Sequence, residues 1–414
     1  MFGLKEAEVA GLVRAVAGDH LDRDAIETRF ATAAWSCIAE PGDRVAGALV
    51  RVVGAARALT GLLGAWGTDR WAAELGAASI ELGPEDVRAA LDRWTPRLRS
   101  GATTLALTQA ARFGVAMRTP DDPDWPVGFT ALGDHAPLTL WVRGRTDAFR
   151  SFDRAIALVG ARAATGYGEH VATESSAGLV DRGYAIVSGG AYGVDGTAHR
   201  AALASHGVTM AFMAGGVDRF YPSGHEALLA RIVDSGCVIS ELPCGAAPTK
   251  WRFLQRNRLI AAASLATIVI EAGWRSGTLN TAHHAQTIGR PVGAVPGPVT
   301  SPASAGCHRL IRGGASLVTS ADEMAALAPL GPMHEHQPRY DEHDPDAVRV
   351  LDALSSRTAR LPEQIAARAG LSADSARAAL GRLTLEGWVR SDERGFMRAR
   401  TRASDGGAAQ HAGS

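Results

Sequence analysis

The sequence predicts an α/β protein: a doubly wound parallel sheet, with a small helical domain before it and a winged-helix domain after it. Three observations carry this. Between Arg154 and Met324, short apolar runs alternate with helical stretches. The runs are apolar almost throughout rather than at every second residue, as in strands covered on both faces. Glycines follow several runs at once, as in Val159-Gly160, Ser188-Gly189-Gly190 and Ala214-Gly215-Gly216, and tight strand-to-helix turns need glycine. On either side of this region the apolar spacing becomes helical.

A chain of 414 residues should hold two or three domains, and 46% hydrophobic residues suffice for their cores. The formal net charge is zero, which excludes a uniformly basic coat and leaves a polyanion only a local patch. Only Lys5 and Lys250 among the 43 basic residues are lysines. Genome base composition accounts for such an excess, although guanidinium does suit bidentate phosphate contacts. Cys37, Cys237, Cys244 and Cys307 lack CxxC or Cys/His ligand spacing, so reduced thiols and no metal are expected. No signal peptide is recognised and no run of 18 apolar residues occurs, so a cytoplasmic protein without a membrane partner is expected.

Residues 1–104 read as a helical domain with helices at Ala31–Ile38, Ala46–Leu63 and Pro84–Leu98. Pro41-Gly42-Asp43 forms a turn able to cap the middle one. Such a domain either resembles a DNA-binding helix-hairpin-helix or serves as a docking spacer. The main domain is expected over 105–325. It opens with turn-rich sequence, a strand at Leu138–Arg143, and Trp125, Phe129 and Trp141 as core or interface anchors. Its strands are then expected at Ala155–Val159, Ala185–Ser188, Thr209–Met213, Val238–Ser240, Ala266–Ile270 and Pro291–Val295. Helices are expected at Tyr167–Arg182, Thr197–Ser205, Gly224–Ser235, Arg256–Ala263, Thr278–Ile288 and Ser304–Arg312.

Residues 326–345, with several prolines and no periodicity, read as a linker whose histidines are solvated. Residues 346–400 read as a winged helix. Its helices lie at Asp346–Leu354, Leu361–Ala369 and Ala373–Glu386, the last capped by Ser372. Its wing runs over Trp388–Arg390 and Gly395–Arg398. Arg377 and Arg382 would lie on a recognition helix; docking on protein is the equal alternative. The tail, 401–414, is expected to be disordered.

Ligands of open parallel sheets bind outside the carboxyl ends of the strands. Five segments end at that edge: Val159–Arg162, Ser188–Gly190, Met213–Asp218, Phe253–Arg258 and Glu271–Thr278. Each offers bare backbone donors, a helix N-terminus or a guanidinium, all of which suit phosphate. A strip of such sites suits a polymer better than one nucleotide. Lys250, Trp251 and Phe253 border it, and a positive groove with aromatic platforms suits single-stranded nucleic acid. Asp195 and His199 stand four apart on a helix start, a spacing that a helix contact or N-terminal capping explains. Glu241 and Glu271 end strands and are expected to hold a loop or an arginine.

The series VGAR, SGGAYGVDGTAH, AGGVDRFYP, ISELP, FLQRNRLIA and EAGWRSGTLNTA resembles the DNA-processing protein A (DprA/Smf) family over roughly residues 105–325. The resemblance implies a Rossmann-like bacterial protein that binds single-stranded DNA without catalysis or cofactor. It further implies loading of the RecA recombinase in natural transformation, and a homodimer. By motif match it implies DNA contacts from Gly160 and Arg162, from Ser188, Gly189 and Gly190, from Arg256, Asn257 and Arg258, from Ser276, Gly277 and Thr278, and from Lys250, which falls near a basic position of the family. Two positions depart from the family pattern, Ala161 for Ser and Leu254 for Pro, and neither removes a charge.

The loops also resemble those of phosphoribohydrolases, whose glutamate position holds Thr281 here, and Thr281 cannot serve as a carboxylate. A nicotinamide-dependent reading fails because Val159–Gly166 lacks GxGxxG spacing. A winged-helix transcription regulator with a nucleotide-sensing sheet is the remaining alternative.

Overall fold

The computed structural model describes residues 2–75, 82–328, 330, 345–355, 358–385, 388–392 and 394–398. The expected tail, 401–414, and residues 329 and 331–344 of the expected linker lie outside these residues. The chain divides into two compact units, Met1–Ala328 and Pro329–Ser414.

The first unit opens with α1 (Glu6–Ala17), α2 (Arg23–Ile38), α3 (Arg44–Val53), α4 (Ala55–Leu63), α5 (Thr68–Leu75), α6 (Pro84–Trp94) and α7 (Ser100–Arg112). Asp43 caps α3 as expected, accepting from Val45 and Ala46 N–H. The single helix expected over 46–63 is two helices, bent by 112°. Gly54 breaks it, at φ +84, a conformation that glycine adopts freely. The boundary expected at 104/105 falls inside α7.

Next come β1 (Val115–Arg118), β2 (Leu140–Gly144) and β3 (Ala155–Gly160), followed by α8 (Gly166–Asp181), β4 (Ala185–Gly189), α9 (Val194–Ala204) and β5 (Thr209–Phe212). The alternation continues through α10 (Glu226–Ser235), β6 (Cys237–Ser240), α11 (Lys250–Ala262), β7 (Ala266–Glu271), α12 (Thr278–Thr287), β8 (Val292–Ala294), α13 (Ala305–Arg312), β9 (Ser316–Leu317) and α14 (Ala321–Ala326). The strands form one sheet in the order β1-β2-β6-β5-β4-β3-β7-β8-β9. The neighbouring pairs from β6 to β9 are parallel; β2 pairs antiparallel with both β6 and β1. The crossovers run to one side from β3 to β6 and to the other from β3 to β9, so the strand order reverses between β3 and β7.

Alternation along β3 explains the layers. Ala155, Ala157 and Val159 face a core with α11 and α12, whereas Ile156 and Leu158 face one with α8 and α9. A third core joins Val9, Val13 and Phe30 of the opening helices to Val115, Trp141 and Val238 of the sheet. Among the described residues no single helix is long and apolar enough to cross a membrane.

The second unit has α15 (Pro345–Ala353), α16 (Pro362–Ala369), α17 (Ala373–Leu385) and an antiparallel wing of β10 (Val389–Asp392) and β11 (Gly395–Arg398). Gly370 ends α16 at φ +65, and Ser372 accepts from Ser375 N–H at 3.1 Å at the start of α17, the expected cap. Arg377, expected on the recognition face, donates to Glu363 and Asp374.

Candidate nucleic-acid interface

A crevice of about 600 Å³ opens at the carboxyl ends of β3 and β7, where the strand order reverses. Three loops meet there because their glycines admit close approach. Ala161 N–H donates to the Glu271 carbonyl at 2.8 Å, and Val194 N–H to the Ala161 carbonyl at 3.2 Å. Gly193 has φ +75, and a Cβ on it would stand 2.2 Å from the Ala161 carbonyl oxygen. Buried Glu271 grips the loop after β3, accepting from Thr165 N–H at 2.9 Å and Thr165 Oγ1 at 2.7 Å. Thr278 Oγ1 donates to the Gly160 carbonyl at 2.8 Å, which ties the start of α12 to the end of β3.

The walls of the crevice include Gly160, Arg162, Phe253, Ser276, Gly277 and Thr278. Exposed Arg162 lays its guanidinium 4.7 Å from the Phe253 ring centre, a cation–π contact. Arg256 approaches the same ring from below, at 5.8 Å. Asn257 donates to the Gly277 carbonyl at 3.4 Å and to Asn280 at 3.2 Å, so it braces the α12 start. Arg275, Arg219 and Lys250 are exposed, and none is bonded to a carboxylate among the described residues.

The floor is buried and charged. Arg256 is 7% exposed and donates to the Phe212 carbonyl. Its Nη1 and an Asp195 oxygen would both crowd a Cβ on Gly189, at 2.5 and 2.6 Å. Burial pushes the Asp195 carboxyl up to about 6, against the pull of Arg256, and brings the Arg256 guanidinium down to about 10. Desolvation thus outweighs their attraction on both sides. No hydrogen bond joins His199 to Asp195 among the described residues. Its Nε2 donates to the Gly189 carbonyl at 2.9 Å and its Nδ1 lies 2.7 Å from Thr209 Oγ1. Burial lowers it to about 4. The cap position, Gly193, makes no side-chain bond, while Asp195 sits in the first turn of α9 as the expected N-terminal carboxylate and takes a backbone hydrogen bond from Ala191.

Two family models match this chain: DNA recombination-mediator protein A over residues 116–329, and the DprA winged helix domain over 334–393. The chain belongs to the DNA recombination-mediator protein A family. It is 49% identical over 275 residues to a Mycobacterium tuberculosis protein named as a DNA processing protein DprA, covering 63% of this chain and 71% of that one. It is 35% identical over 289 residues to Escherichia coli K12 Protein Smf, covering 68% and 76%. The crystal structure of Streptococcus pneumoniae DprA superposes with a TM-score of 0.58 at 28% identity, covering 74% of this chain and 99% of that one.

Within this family fold, several of the residues expected to contact DNA lie outside the crevice. Arg258 is 3% exposed, and its Nη2 donates to both Glu241 oxygens at 2.7 Å. On a helix, positions two apart point about 200° away from each other, so Arg258 faces the loop at Gly42 while Arg256 faces the crevice. Ser188 spends its hydroxyl on the Leu158 carbonyl at 2.6 Å. Gly189 is buried against Asp195 and Arg256 and Gly190 against Met213 and Leu229, and neither lines the crevice. Helix α11 starts at Lys250, six residues before the expected start, with Thr249 as its cap. Lys250 therefore falls on the helical face of Phe253 and Asn257. Sequence reasoning missed Tyr167, Tyr192, Tyr221 and Trp274, all exposed at this edge; the readable signal was one aromatic at each strand-to-helix junction.

Proposed function

We propose that this chain binds single-stranded DNA along the carboxyl edge of its parallel sheet and presents it to a RecA-type recombinase. DNA uptake by transformation or general recombination would be its setting. The observation that carries the reading is the crevice between β3 and β7: backbone of Gly160 and Gly277, the start of α12, and the Arg162 guanidinium over Phe253. On a protein without net charge, exposed Arg162, Lys250, Arg219 and Arg275 concentrate cations at this edge. The names of the relatives, DNA processing protein and Smf, agree with it.

In this reading Gly160, Ser276, Gly277 and Thr278 take phosphates, Arg162 and Lys250 neutralise charge, and Arg256 adds a buried positive floor. Ser188, Gly189, Gly190, Asn257 and Arg258 hold that arrangement from behind. The protein acts by binding, as a cytoplasmic homodimer. Residues 105–325 carry the DNA site, and the helical and winged modules precede and follow them in the chain. Thr281 lines the crevice at the position where phosphoribohydrolases need a carboxylate, which disfavours that enzyme.

Fluorescence anisotropy of labelled oligothymidylate against salt tests the reading. Neutralising three phosphates gives a log–log slope near −2, from roughly −0.7 per contact. A flat salt response, or a preference for duplex, would sink it. Strand exchange by RecA on strands precoated with single-strand-binding protein tests the loading step; no stimulation by this chain would confine it to binding.

A further inference from the structure

Phosphate contacts alone cannot make an edge choose single strands, because a duplex carries the same phosphates. We propose that five aromatic side chains, one in the loop or first helical turn after each strand from β3 to β7, form a base-stacking ledge that gives this edge its preference for unpaired strands. The inference rests on the single-strand reading above and adds the feature that selects the strand.

The distribution carries the argument. Six aromatic side chains among the described residues are more than a third exposed. Five are Tyr167 after β3, Tyr192 after β4, Tyr221 after β5, Trp251 after β6 and Trp274 after β7, between 43% and 57% exposed. The sixth, Phe113, follows α7. Scattered exposed apolar residues need no explanation, but one at each successive strand-to-helix junction on one edge does; Tyr192, Tyr221 and Trp274 lie in the loops, and Tyr167 and Trp251 in the first turns of α8 and α11. Parallel strands lie about 4.8 Å apart, so the five loops spread over roughly 20 Å, the length of several nucleotides.

Four of the five rings are held by a named partner. Tyr167 Oη donates to the Pro296 carbonyl at 2.6 Å. Tyr192 stands edge-on to His225 at 4.7 Å, and His225 Nδ1 is itself bonded to the Gly190 carbonyl at 3.1 Å. Tyr221 leans on Phe253 at 5.8 Å. Trp274 lies beneath the Arg309 guanidinium at 5.2 Å. A held ring loses little entropy when a base stacks on it. Cations alternate with the rings, Arg219 before Tyr221, Lys250 before Trp251 and Arg275 after Trp274, so phosphates and bases of one strand meet opposite partners.

The test compares three ligands at one salt concentration: oligothymidylate, the same length of abasic deoxyribose phosphate, and duplex. Trp274→Ala and Tyr192→Ala both lie outside the crevice wall. Each should weaken oligothymidylate binding about five- to 150-fold, the range for one stacked base. Abasic and duplex binding should not change, and Trp274→Phe should retain most of the affinity. Equal loss on oligothymidylate and abasic polymer, or no loss on either, would overturn the ledge while wild-type binding of abasic polymer still upholds the phosphate crevice. Wild type binding neither polymer would remove both. Thermal unfolding of each variant, unchanged from wild type, excludes misfolding as the cause.

Discussion

Arg162 and Arg258 are both arginines of the glycine- and arginine-rich motifs, yet their surroundings give them opposite duties. Arg162 is exposed and rests on a ring. Arg162→Ala should weaken all oligonucleotides by a similar factor, flatten the salt slope by about 0.7, and leave the unfolding midpoint unmoved. Arg258 is buried against Glu241. Arg258→Ala leaves a carboxylate without its partner and should cost about 3–5 kcal/mol of stability, read by urea denaturation; a stability loss under 1 kcal/mol would show that the pair is dispensable. Asp195 and His199 provide a pH signature. Asp195 titrates near 6 in the fold against about 3.9 unfolded, so the fold binds the extra proton and stability falls as pH rises through that window. His199 titrates near 4 in the fold against about 6.5 unfolded, so stability falls as pH drops. The two slopes oppose each other. Asp195→Asn removes one and should steepen the loss of stability from pH 6.5 to pH 4; an unchanged profile would mean that Asp195 is not protonated in this range. None of this was visible in the spacing of Asp195 and His199, because burial, which decides both, is set by the strands beneath them.

Elements were the most legible scale. The strands of the parallel sheet declare themselves because they are buried on both faces and so are apolar throughout, and the expected cap at Ser372 and turn at Asp43 follow from side chains that bond their own backbone. β1 and β9 were not read. The first is four residues long and the second two, too short for alternation to register. Helices α1 and α7 escaped because Ala-rich sequence gives little contrast between faces, and α5 because it spans only eight residues. The glycines in the site loops were read as ligand-facing; several are instead there for packing. Gly193 is the sharpest case, with positive φ and a carbonyl where its Cβ would be. Gly193→Ala should destabilise by about 1–3 kcal/mol and weaken DNA binding as well, since Val194 N–H anchors the loop that carries Arg162. Binding and stability equal to wild type would show that the three loops can separate without harm.

The whole molecule sets which parts can be removed. Composition suggested a helical module that ends before residue 105, and local periodicity has no means of showing otherwise. The contacts show a fused first unit. Arg29 pairs with Asp122 at 2.6 Å and both are largely buried. Arg252 of α11 donates to both oxygens of Glu40, and Gly42 N–H donates to Glu241 at 3.3 Å. Phe30 and Val13 share a core with Met117 and Trp141. A chain beginning at residue 105 would expose that core and leave Glu241 and Arg252 short of partners, so it should unfold without a cooperative transition by circular dichroism. A chain ending at Ala328 keeps every residue of the crevice and the ledge, since the second unit begins only at Pro329. It should fold and bind oligothymidylate within about threefold of the full chain and with the same salt slope, because no counted phosphate contact is lost. A tenfold loss of affinity together with a shallower slope would instead assign phosphate contacts to the winged unit. In that case Arg377, now bonded to Glu363 and Asp374, would have to leave those carboxylates to make one.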